Sequence, residues 1–299
     1  MKHSIKEWFI VTRYWSFAVS TMPVIVTFAY LFSKGMVPAE VKSYVIFALC
    51  LLGVVLLHAA GNVLSDWYDF RTGVDNENAF AVPNLVFKHF EPREYLCFSI
   101  ILFVAGCAAG IAITLLSGTG LLIIGGIGVL LTALYSFFKY HALGDLDIFI
   151  VFGVLTVLGT AYAITGSFVP EAMMLSLPVG VITVSVLHAN NTFDTETDRA
   201  AGIKTFAMLI GGKASSILYR IYMAVPFVCI AAYVAAGWLH PLALLCLSAV
   251  IPAWKNFKKA AGFKTEGIAA MGGLDQGSAK LQTVFSGLLS IGLIVAGLL

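Results

Sequence analysis

The strongest pattern in this sequence is a series of long apolar runs separated by shorter polar segments. A membrane-spanning helix needs about 20 predominantly apolar residues, and nine runs approach that length. The predicted spans are 15–33, 43–65, 95–116, 119–138, 146–168, 172–193, 214–236, 239–254 and 281–298. The pattern therefore predicts an all-α integral membrane protein, with about nine transmembrane helices around a central cavity.

The composition agrees with this class. Of the 299 residues, 60% are hydrophobic and 11% are charged, whereas a soluble domain carries about 25% charged residues. The partner that the composition indicates is the lipid bilayer. A net charge of +2 gives no reason to expect a nucleic acid as partner, and the sequence predicts no protein partner.

The distribution of charge predicts how the chain is oriented. Of the 18 Lys and Arg residues, 15 lie in the N-terminal tail or in the segments after the second, fourth, sixth and eighth runs; Arg220 lies within the predicted span 214–236, and only Lys34 and Lys42 lie on the other side. Because positive residues concentrate on the cytoplasmic side, we expect a cytoplasmic N-terminus and a C-terminus outside. All Asp and Glu residues except Glu40 and Glu171 share the cytoplasmic side, so the chemistry is expected at that face.

The second apolar run ends in a group of amide and carboxyl side chains. Asn62, Asp66 and Asp69 are spaced i, i+4 and i+7, so a helix would carry all three on one face. Asp75 follows a few residues later. Carboxylates grouped in this way repel each other unless a cation lies among them, so the pattern predicts a cation site.

A similar group follows the sixth run. Asn190, Asn191, Asp194 and Asp198 again place amide and carboxyl groups on one face of a predicted helix, at the end of an apolar run. Mg²⁺ prefers oxygen ligands and commonly binds through one or two carboxylates plus substrate phosphates. Two such groups facing each other would hold Mg²⁺ between them.

The repetition of this pattern four spans apart predicts related halves within one membrane domain. The domain is 1–299, the halves are roughly 1–145 and 146–256, and the last helix, 281–298, is appended.

Basic residues accompany the two acidic groups. Lys139 lies in the segment after the fourth span, and Arg199 and Lys204 follow the second group. Carboxylates that bind a metal, together with nearby cations, suit a diphosphate. The apolar helices beside them suit a hydrocarbon tail, so a substrate with a diphosphate head and a greasy tail fits both environments. Asp145 is a candidate metal ligand or base, and a loop-capping role is an alternative for it.

Several segments carry a resemblance to a known family. The segments 62–75 (NVLSDWYDFRTGVD) and 190–212 (NNTFDTETDRAAGIKTFAMLIGG) resemble the two aspartate-rich motifs of the UbiA-type membrane prenyltransferases. The most similar members are the 1,4-dihydroxy-2-naphthoate polyprenyltransferases of menaquinone synthesis. The segments 139–145 (KYHALGD) and 13–17 (RYWSF) are similar to two further motifs of that family.

The sequence departs from the family pattern in three places. Ser65 stands where the family usually has Asn, and Tyr14 replaces the usual Pro. The segment 76–90 lacks the family's Arg and Gly-Pro pattern. Since that segment is expected to border the acceptor, the departure leaves the acceptor less well defined than the metal and diphosphate chemistry.

The resemblance implies a specific reaction. A polyprenyl group would pass from polyprenyl diphosphate to a small aromatic acceptor, 1,4-dihydroxy-2-naphthoate with loss of CO₂, with Mg²⁺ as cofactor. The implied catalytic and metal-binding residues are Asp66, Asp69, Asp194 and Asp198. The implied substrate-binding residues are Asn62, Lys139, Asn190, Asn191, Arg199, Lys204, Arg13, Asp75 and Asp145. Arg13 is the candidate for the acceptor's carboxylate, and the implied location is the cytoplasmic membrane of a prokaryote, with the active site facing the cytoplasm.

Two alternatives remain open at the level of sequence. The same chemistry could act on another acceptor, such as hydroxybenzoate, homogentisate, a tetrapyrrole or glyceryl phosphate. A cation transporter is the alternative from a different class. A transporter would carry its acidic residues near the middle of the spans, whereas here they lie at span ends among cations, which favours an anionic substrate.

Overall fold

The fold is helical throughout the described part of the chain. A computed structural model describes residues 3–77 and 82–299, and these residues form no β-strand; His141 and Lys204 form one isolated bridge. The α-helices are α1 (Ile5–Val11), α2 (Ala18–Ser33), α3 (Val41–Thr72), α4 (Pro83–Val86), α5 (Pro92–Ser117), α6 (Leu121–Ala133), α7 (Tyr135–Tyr140), α8 (Gly144–Ile148), α9 (Thr156–Thr165), α10 (Ser176–Phe193), α11 (Thr195–Ala200), α12 (Phe206–Ile210), α13 (Gly212–Ala235), α14 (Val250–Ala261), α15 (Phe263–Glu266) and α16 (Leu274–Leu298).

Tighter and wider helical turns connect some of these helices. The 3₁₀ helices are Tyr14–Ser16, Pro170–Leu175, Pro241–Ala249 and Gly267–Met271, and a π-helical segment, Phe149–Leu155, joins α8 to α9. Residues 78–81 of the segment 76–90, which was expected to border the acceptor, lie outside the described residues.

Seven of the predicted spans are present among the described residues. The segments long and apolar enough to cross a membrane are Tyr14–Ser33, Val41–Thr72, Pro92–Ser117, Gly144–Thr165, Pro170–Phe193, Gly212–Ala235 and Leu274–Leu298. The protein is therefore an integral membrane protein.

The other two predicted spans are shorter or irregular. The predicted span 119–138 is divided at Leu134 into α6 and α7, and the 13 residues of α6 measure about 20 Å against a hydrocarbon core of about 30 Å. The predicted span 239–254 consists of the 3₁₀ helix Pro241–Ala249 followed by α14. Apolar composition alone did not reveal these breaks, so the count of nine stays a prediction.

The last helix is an integral part of the core. α16 packs against α2, against the 3₁₀ helix Pro241–Ala249 and against α10. Phe285 and Leu289 of α16 are fully buried there. Helices in a membrane approach closely where small residues lie at the interface, and Gly292 is such a residue: a Cβ added there would overlap the carbonyl oxygen of Leu242.

Gly292→Ala is expected to lower the free energy of unfolding by about 1–3 kcal/mol, because backbone must move to admit the methyl group. Gly287→Ala on the same helix is the control, since a Cβ at that position would meet nothing within 4 Å, and alanine is the better helix former. Thermal unfolding of the purified proteins in detergent measures both. Equal melting temperatures for the two variants would contradict the proposed close packing of α16.

A second, smaller apolar cluster holds the N-terminal segment against the end of α3. Val11, Val63, Leu85, Phe90 and Tyr95 are its buried members. The packing fixes the chain that follows α1 beside the polar end of α3.

Candidate active site

The first acidic group lies on the last turns of α3. This helix continues to Thr72, well beyond the predicted span 43–65, and it carries Asn62, Asp66 and Asp69 on one face. Its 32 residues measure about 48 Å, which exceeds the roughly 30 Å of the hydrocarbon core. The helix ends at Gly73, whose φ of 81° is the left-handed conformation typical of a residue after a helix C-terminus. The polar end of α3 therefore lies at the boundary between the hydrocarbon core and water.

The first carboxylate of α3 is already paired. Arg13 forms an ion pair with Asp66, whose exposed fraction is 2%. The amide of Asn62 holds the N-terminal segment in place by donating to the Thr12 carbonyl (3.0 Å) and to the Ser16 hydroxyl (3.2 Å). Arg13 was predicted to meet the carboxylate of an acceptor, but the structure pairs it with Asp66.

The second carboxylate of α3 is paired as well. The Lys139 ammonium lies 3.2 Å from Asp69, and the Tyr140 hydroxyl donates to the same carboxylate at 2.5 Å. The Tyr140 hydroxyl also lies 3.0 Å from that of Thr72. Burial opposes the charged form of Lys139, but the neighbouring acidic groups, of which Asp69 has the largest effect, together outweigh it and raise the pKa of this side chain. Lys139 is therefore a cation at neutral pH.

The second acidic group is built differently from the first. α10 ends at Phe193, Asp194 has a non-helical backbone, and Asp198 lies on the short α11. The sequence predicted one continuous helical face here, and the structure breaks the helix at Asp194 instead. The amide of Asn190 donates to the Asp194 carboxylate at 2.8 Å, so these two side chains are in contact across the break.

Two oxygen atoms of the second group lack partners. Asn191 Oδ1 and Asp198 Oδ2 are buried and accept no hydrogen bond from any described residue. The pKa of Asp198 is raised to about 6, mainly by burial; Lys139 opposes this increase, whereas Asp194 and Asp69 contribute to it. These mutual effects show that both acidic groups and Lys139 share one electrostatic environment. A cation placed there would favour the ionised carboxylates.

Backbone pairing explains why these distant segments meet. The Ala142 amide donates to the Lys204 carbonyl at 2.8 Å, and the Lys204 amide donates to the Tyr140 carbonyl at 3.2 Å. The loop after α7 is thereby fixed to the loop after α11. Since Lys139 and Tyr140 in turn contact Asp69, three segments that are far apart in sequence form one site.

Some predicted site residues are placed at its edge. The side chains of Arg199 and Lys204 are exposed, and neither forms an ion pair with another described residue. The backbone amide of Asp75 donates to the carbonyl of Asp69 at 3.0 Å, so Asp75 lies beside the first group. The roles of these three residues in substrate binding stay predictions.

Asp145 has a partner that the sequence did not reveal. One of its carboxylate oxygens lies 2.6 Å from Nδ1 of His188, and Nε2 of His188 lies 3.3 Å from the Ser215 carbonyl. His188 is fully buried. The pair ties α8 to α10 and α13, so the contact that the structure provides for Asp145 is to a neighbouring helix rather than to the acidic groups.

The donor set fits a hard divalent cation that is completed by a ligand. No group of three or more His, Cys, Asp or Glu side chains in the described ranges is placed to hold a metal by itself. Mg²⁺ commonly takes one or two carboxylates and fills its octahedron with water and phosphate oxygens. The unpartnered oxygens of Asn191 and Asp198 are suitable ligands for such an ion.

An apolar cavity lies beneath the acidic groups. It has a volume of about 150 Å³ and lies among α3, α5, α6, α9 and the π-helical segment. Glycines make room for it, because they leave space where a side chain would otherwise fill the gap; those lining it are Gly53, Gly106, Gly110, Gly125, Gly128 and Gly159. His58, which lines the cavity, precedes Asp66 by about two turns of α3. The polar site and the apolar space are thus neighbours on one helix.

Comparison with known proteins identifies the family. The model of the UbiA prenyltransferase family matches residues 16–265. The chain belongs to this family. The reaction class of this UbiA-family protein is therefore prenyl transfer. "UbiA prenyltransferase domain-containing protein 1" from Mus musculus is 34% identical over 234 residues, which cover 76% of this chain and 68% of that protein.

Further relatives agree with this assignment. The Homo sapiens protein of the same name is 36% identical over 223 residues, covering 72% of this chain and 64% of that protein. This UbiA-family chain thus matches about two thirds of the length of these relatives.

Solved structures share its fold. An apo UbiA homolog from Aeropyrum pernix K1 has a TM-score of 0.70 at 19% identity, covering 93% of this chain and 97% of that one. A UbiA homolog from Archaeoglobus fulgidus bound to GPP and Mg²⁺ has a TM-score of 0.67 at 15% identity, covering 96% and 99%. A digeranylgeranylglyceryl phosphate synthase has a TM-score of 0.65 at 19% identity, covering 97% and 99%.

Two contributors to this UbiA-family site were not among the predicted site residues. Tyr140 is hydrogen-bonded to Asp69, and its position directly after Lys139 was the available signal. His58 contacts the hydroxyls of Ser16 (3.3 Å) and Ser20 (3.0 Å) and lines the cavity. Its position one helical turn before Asn62 was the signal for that residue.

Proposed function

We propose that this protein transfers a polyprenyl group from polyprenyl diphosphate to an aromatic acceptor, with Mg²⁺ as cofactor. The acceptor proposed is 1,4-dihydroxy-2-naphthoate, which loses CO₂. The observation that carries the proposal is the convergence of two acidic groups on Lys139 beside an apolar cavity. The arrangement suits a ligand that has a diphosphate head and a hydrocarbon tail.

Each part of the site has a role in this reaction. Asp66, Asp69, Asp194 and Asp198 would hold Mg²⁺, which as a Lewis acid stabilises the charge that develops on the departing diphosphate. Lys139 would contact the diphosphate directly, because its ammonium lies 3.2 Å from Asp69 and its charge also acts on Asp198 of the second group. The cavity would hold the prenyl chain, and its apolar walls would exclude water from the allylic carbon.

The bond changes balance without an added oxidant. The bond between the allylic carbon and oxygen breaks, and its electron pair leaves on the diphosphate. A ring carbon of the acceptor supplies the pair for the new carbon–carbon bond. Loss of CO₂ returns a pair to the ring, whereas an acceptor that keeps its carboxylate would have to release a proton from the ring.

The acceptor rests on the sequence motifs, because the relatives' names do not specify one. Glyceryl phosphate is the second candidate, since a synthase of digeranylgeranylglyceryl phosphate shares the fold. The altered segment 76–90 is the reason to test both.

We further propose nine crossings, with the N-terminus in the cytoplasm and the C-terminus outside. The contact of Lys139 with Asp69 requires α5 to cross away from the site and α6 to return. The Ser216 hydroxyl, near the start of α13, donates to the Ala260 carbonyl near the end of α14 at 2.8 Å, so the chain between them also returns. The charge distribution supports a cytoplasmic site, and the proposed location is the cytoplasmic membrane of a prokaryote.

A transfer assay tests the proposed reaction. The purified protein in detergent is given radiolabelled polyprenyl diphosphate and carboxyl-labelled dihydroxynaphthoate, with Mg²⁺ or with EDTA. We expect a prenylated product and labelled CO₂ in equal amounts, only with Mg²⁺. Parallel reactions contain hydroxybenzoate or glyceryl phosphate.

The outcomes separate the alternatives. Product formed only with another acceptor would contradict the naphthoate assignment and leave the diphosphate chemistry intact. No product with any acceptor, together with cation flux in proteoliposomes, would contradict prenyl transfer as the function.

A further inference from the structure

The two acidic groups differ in how their charges are balanced. In the first group (Asp66 and Asp69), each carboxylate forms an ion pair, with Arg13 and Lys139 respectively. In the second group (Asn191, Asp194 and Asp198), no carboxylate forms an ion pair with any described residue. Each carboxylate of the first group therefore has a cation in direct contact, whereas among the described residues neither carboxylate of the second group has one.

Buried oxygens without a partner occur in both groups, since Asp66 Oδ2 also accepts no hydrogen bond from a described residue, but in the first group they lie beside a cation. Asp69 accepts hydrogen bonds from both Lys139 and Tyr140. In the second group, Asp198 Oδ2 and Asn191 Oδ1 are buried without partners. Leaving a buried acceptor unsatisfied costs about 1–3 kcal/mol. A cation that binds the second group would remove this cost without displacing a side chain. A cation that enters the first group meets the positive charges of Arg13 and Lys139, even at the unpartnered Asp66 Oδ2, and must displace one of these side chains.

Displacement has a cost that depends on what else is bound. Breaking a buried ion pair leaves uncompensated charge and is strongly unfavourable. Arg13 and Lys139 can leave their carboxylates cheaply only when another anion receives them. A diphosphate is such an anion, because arginine and lysine both form charge-assisted hydrogen bonds with phosphate oxygens.

We propose that the two groups accept metal ions in order and that Arg13 and Lys139 enforce the order. The second group binds a divalent cation from solution. The first group stays closed by Arg13 and Lys139 until a diphosphate draws these side chains away and exposes Asp66 and Asp69. This inference rests on the proposed function, since it assumes that diphosphate and metal share the site.

The ordering has a chemical consequence. The full set of carboxylates becomes available only in the presence of the donor, so the metal and the prenyl diphosphate bind cooperatively. Such coupling is reciprocal by thermodynamic necessity. Removing the charge of Arg13 frees Asp66 for the metal and removes a contact to the diphosphate, so we expect tighter binding of the metal and weaker binding of the diphosphate.

Equilibrium dialysis against Mn²⁺ tests this ordering without any turnover. The protein in detergent is dialysed with and without methylenediphosphonate, a diphosphate analogue that cannot transfer a prenyl group. We expect wild-type protein to bind additional Mn²⁺ when the analogue is present. Asp198→Asn should lose the binding that occurs without the analogue.

Arg13→Gln is the decisive variant. Without the analogue it should bind Mn²⁺ at the first group at least about tenfold more tightly than wild type, and with Mn²⁺ present it should bind the analogue more weakly. Arg71→Gln is the matched control: it removes the same charge from the end of α3, but Arg71 is exposed and stacks on Trp67. Lys139→Gln is the second variant, should Arg13→Gln fail to elute as a monodisperse protein.

Three results would overturn an assignment, and they are distinguishable. Unchanged Mn²⁺ affinity in both Arg13→Gln and Lys139→Gln contradicts the ordering. Equal Mn²⁺ binding by wild type with and without the analogue contradicts it also. Absence of Mn²⁺ binding under every condition contradicts the proposed metal-dependent function itself.

Discussion

Asp198→Asn is expected to reduce the turnover number for prenyl transfer by about a thousandfold. The substitution keeps the shape of the side chain and removes the charge that faces Lys139, Asp194 and Asp69. Losing one well-placed electrostatic partner of a transition state costs about 10²–10³ in rate, and the upper value is expected where a metal ligand is lost. Initial rates of product formation at saturating donor and acceptor measure the effect.

Glu196→Gln is the matched control for this variant. Glu196 lies two residues before Asp198 on the same short helix, and its substitution by Gln removes the same charge. The side chain of Glu196 is exposed, whereas that of Asp198 is buried. We expect its turnover number to remain within about twofold of wild type, since exposed substitutions rarely matter. Equal losses in the two variants would mean that α11 contributes only general negative charge and that Asp198 is not a metal ligand.

The sequence predicted the first acidic group well because the signal is local. The spacing of Asn62, Asp66 and Asp69 has meaning only on a helix, and α3 continues through all three. For the second group, the sequence predicted which residues take part but not the helix break at Asp194 that separates them. Nothing in the residues around Asp194 marks the end of α10, because no Gly or Pro stands there.

The partners of the carboxylates could not be predicted in the same way. The pairs of Arg13 with Asp66 and of Tyr140 with Asp69 join segments far apart in the chain. They depend on how the N-terminal segment packs on Val63 and on the pairing of Lys204 with the loop after α7. The periodicity of a sequence shows which side chains share one face of a helix. It does not show which other segment of the chain packs against that face.

The two irregular spans illustrate a related limit. Hydropathy registers that 119–138 and 239–254 are apolar, but helix length depends on where the backbone hydrogen bonding changes. The glycine-rich α6 ends at Ala133, and Pro241 starts a 3₁₀ helix. The departure in 119–138 lies beside functional features, since α6 lines the cavity and α7 carries Lys139.

Lys139→Gln is the substitution with the second largest expected effect. Its ammonium contacts Asp69 and also interacts with Asp198, so a diphosphate held between the acidic groups would lie against it. We expect kcat/KM for the prenyl diphosphate to fall by about a hundredfold, in line with the loss of one charge-assisted contact to the leaving group. The KM for the acceptor should not change.

Lys213→Gln is the control for this variant. Lys213 is exposed at the start of α13, so its substitution removes an equal charge outside the site. Steady-state kinetics with each substrate varied in turn separate the two constants for both variants. Loss of binding common to ground and transition states raises KM alone, whereas loss of a contact made only in the transition state lowers kcat. An unchanged kcat/KM for the donor in Lys139→Gln would contradict the position assigned to the diphosphate. It would show that the cation shared by Asp69 and Asp198 is not needed for binding the donor.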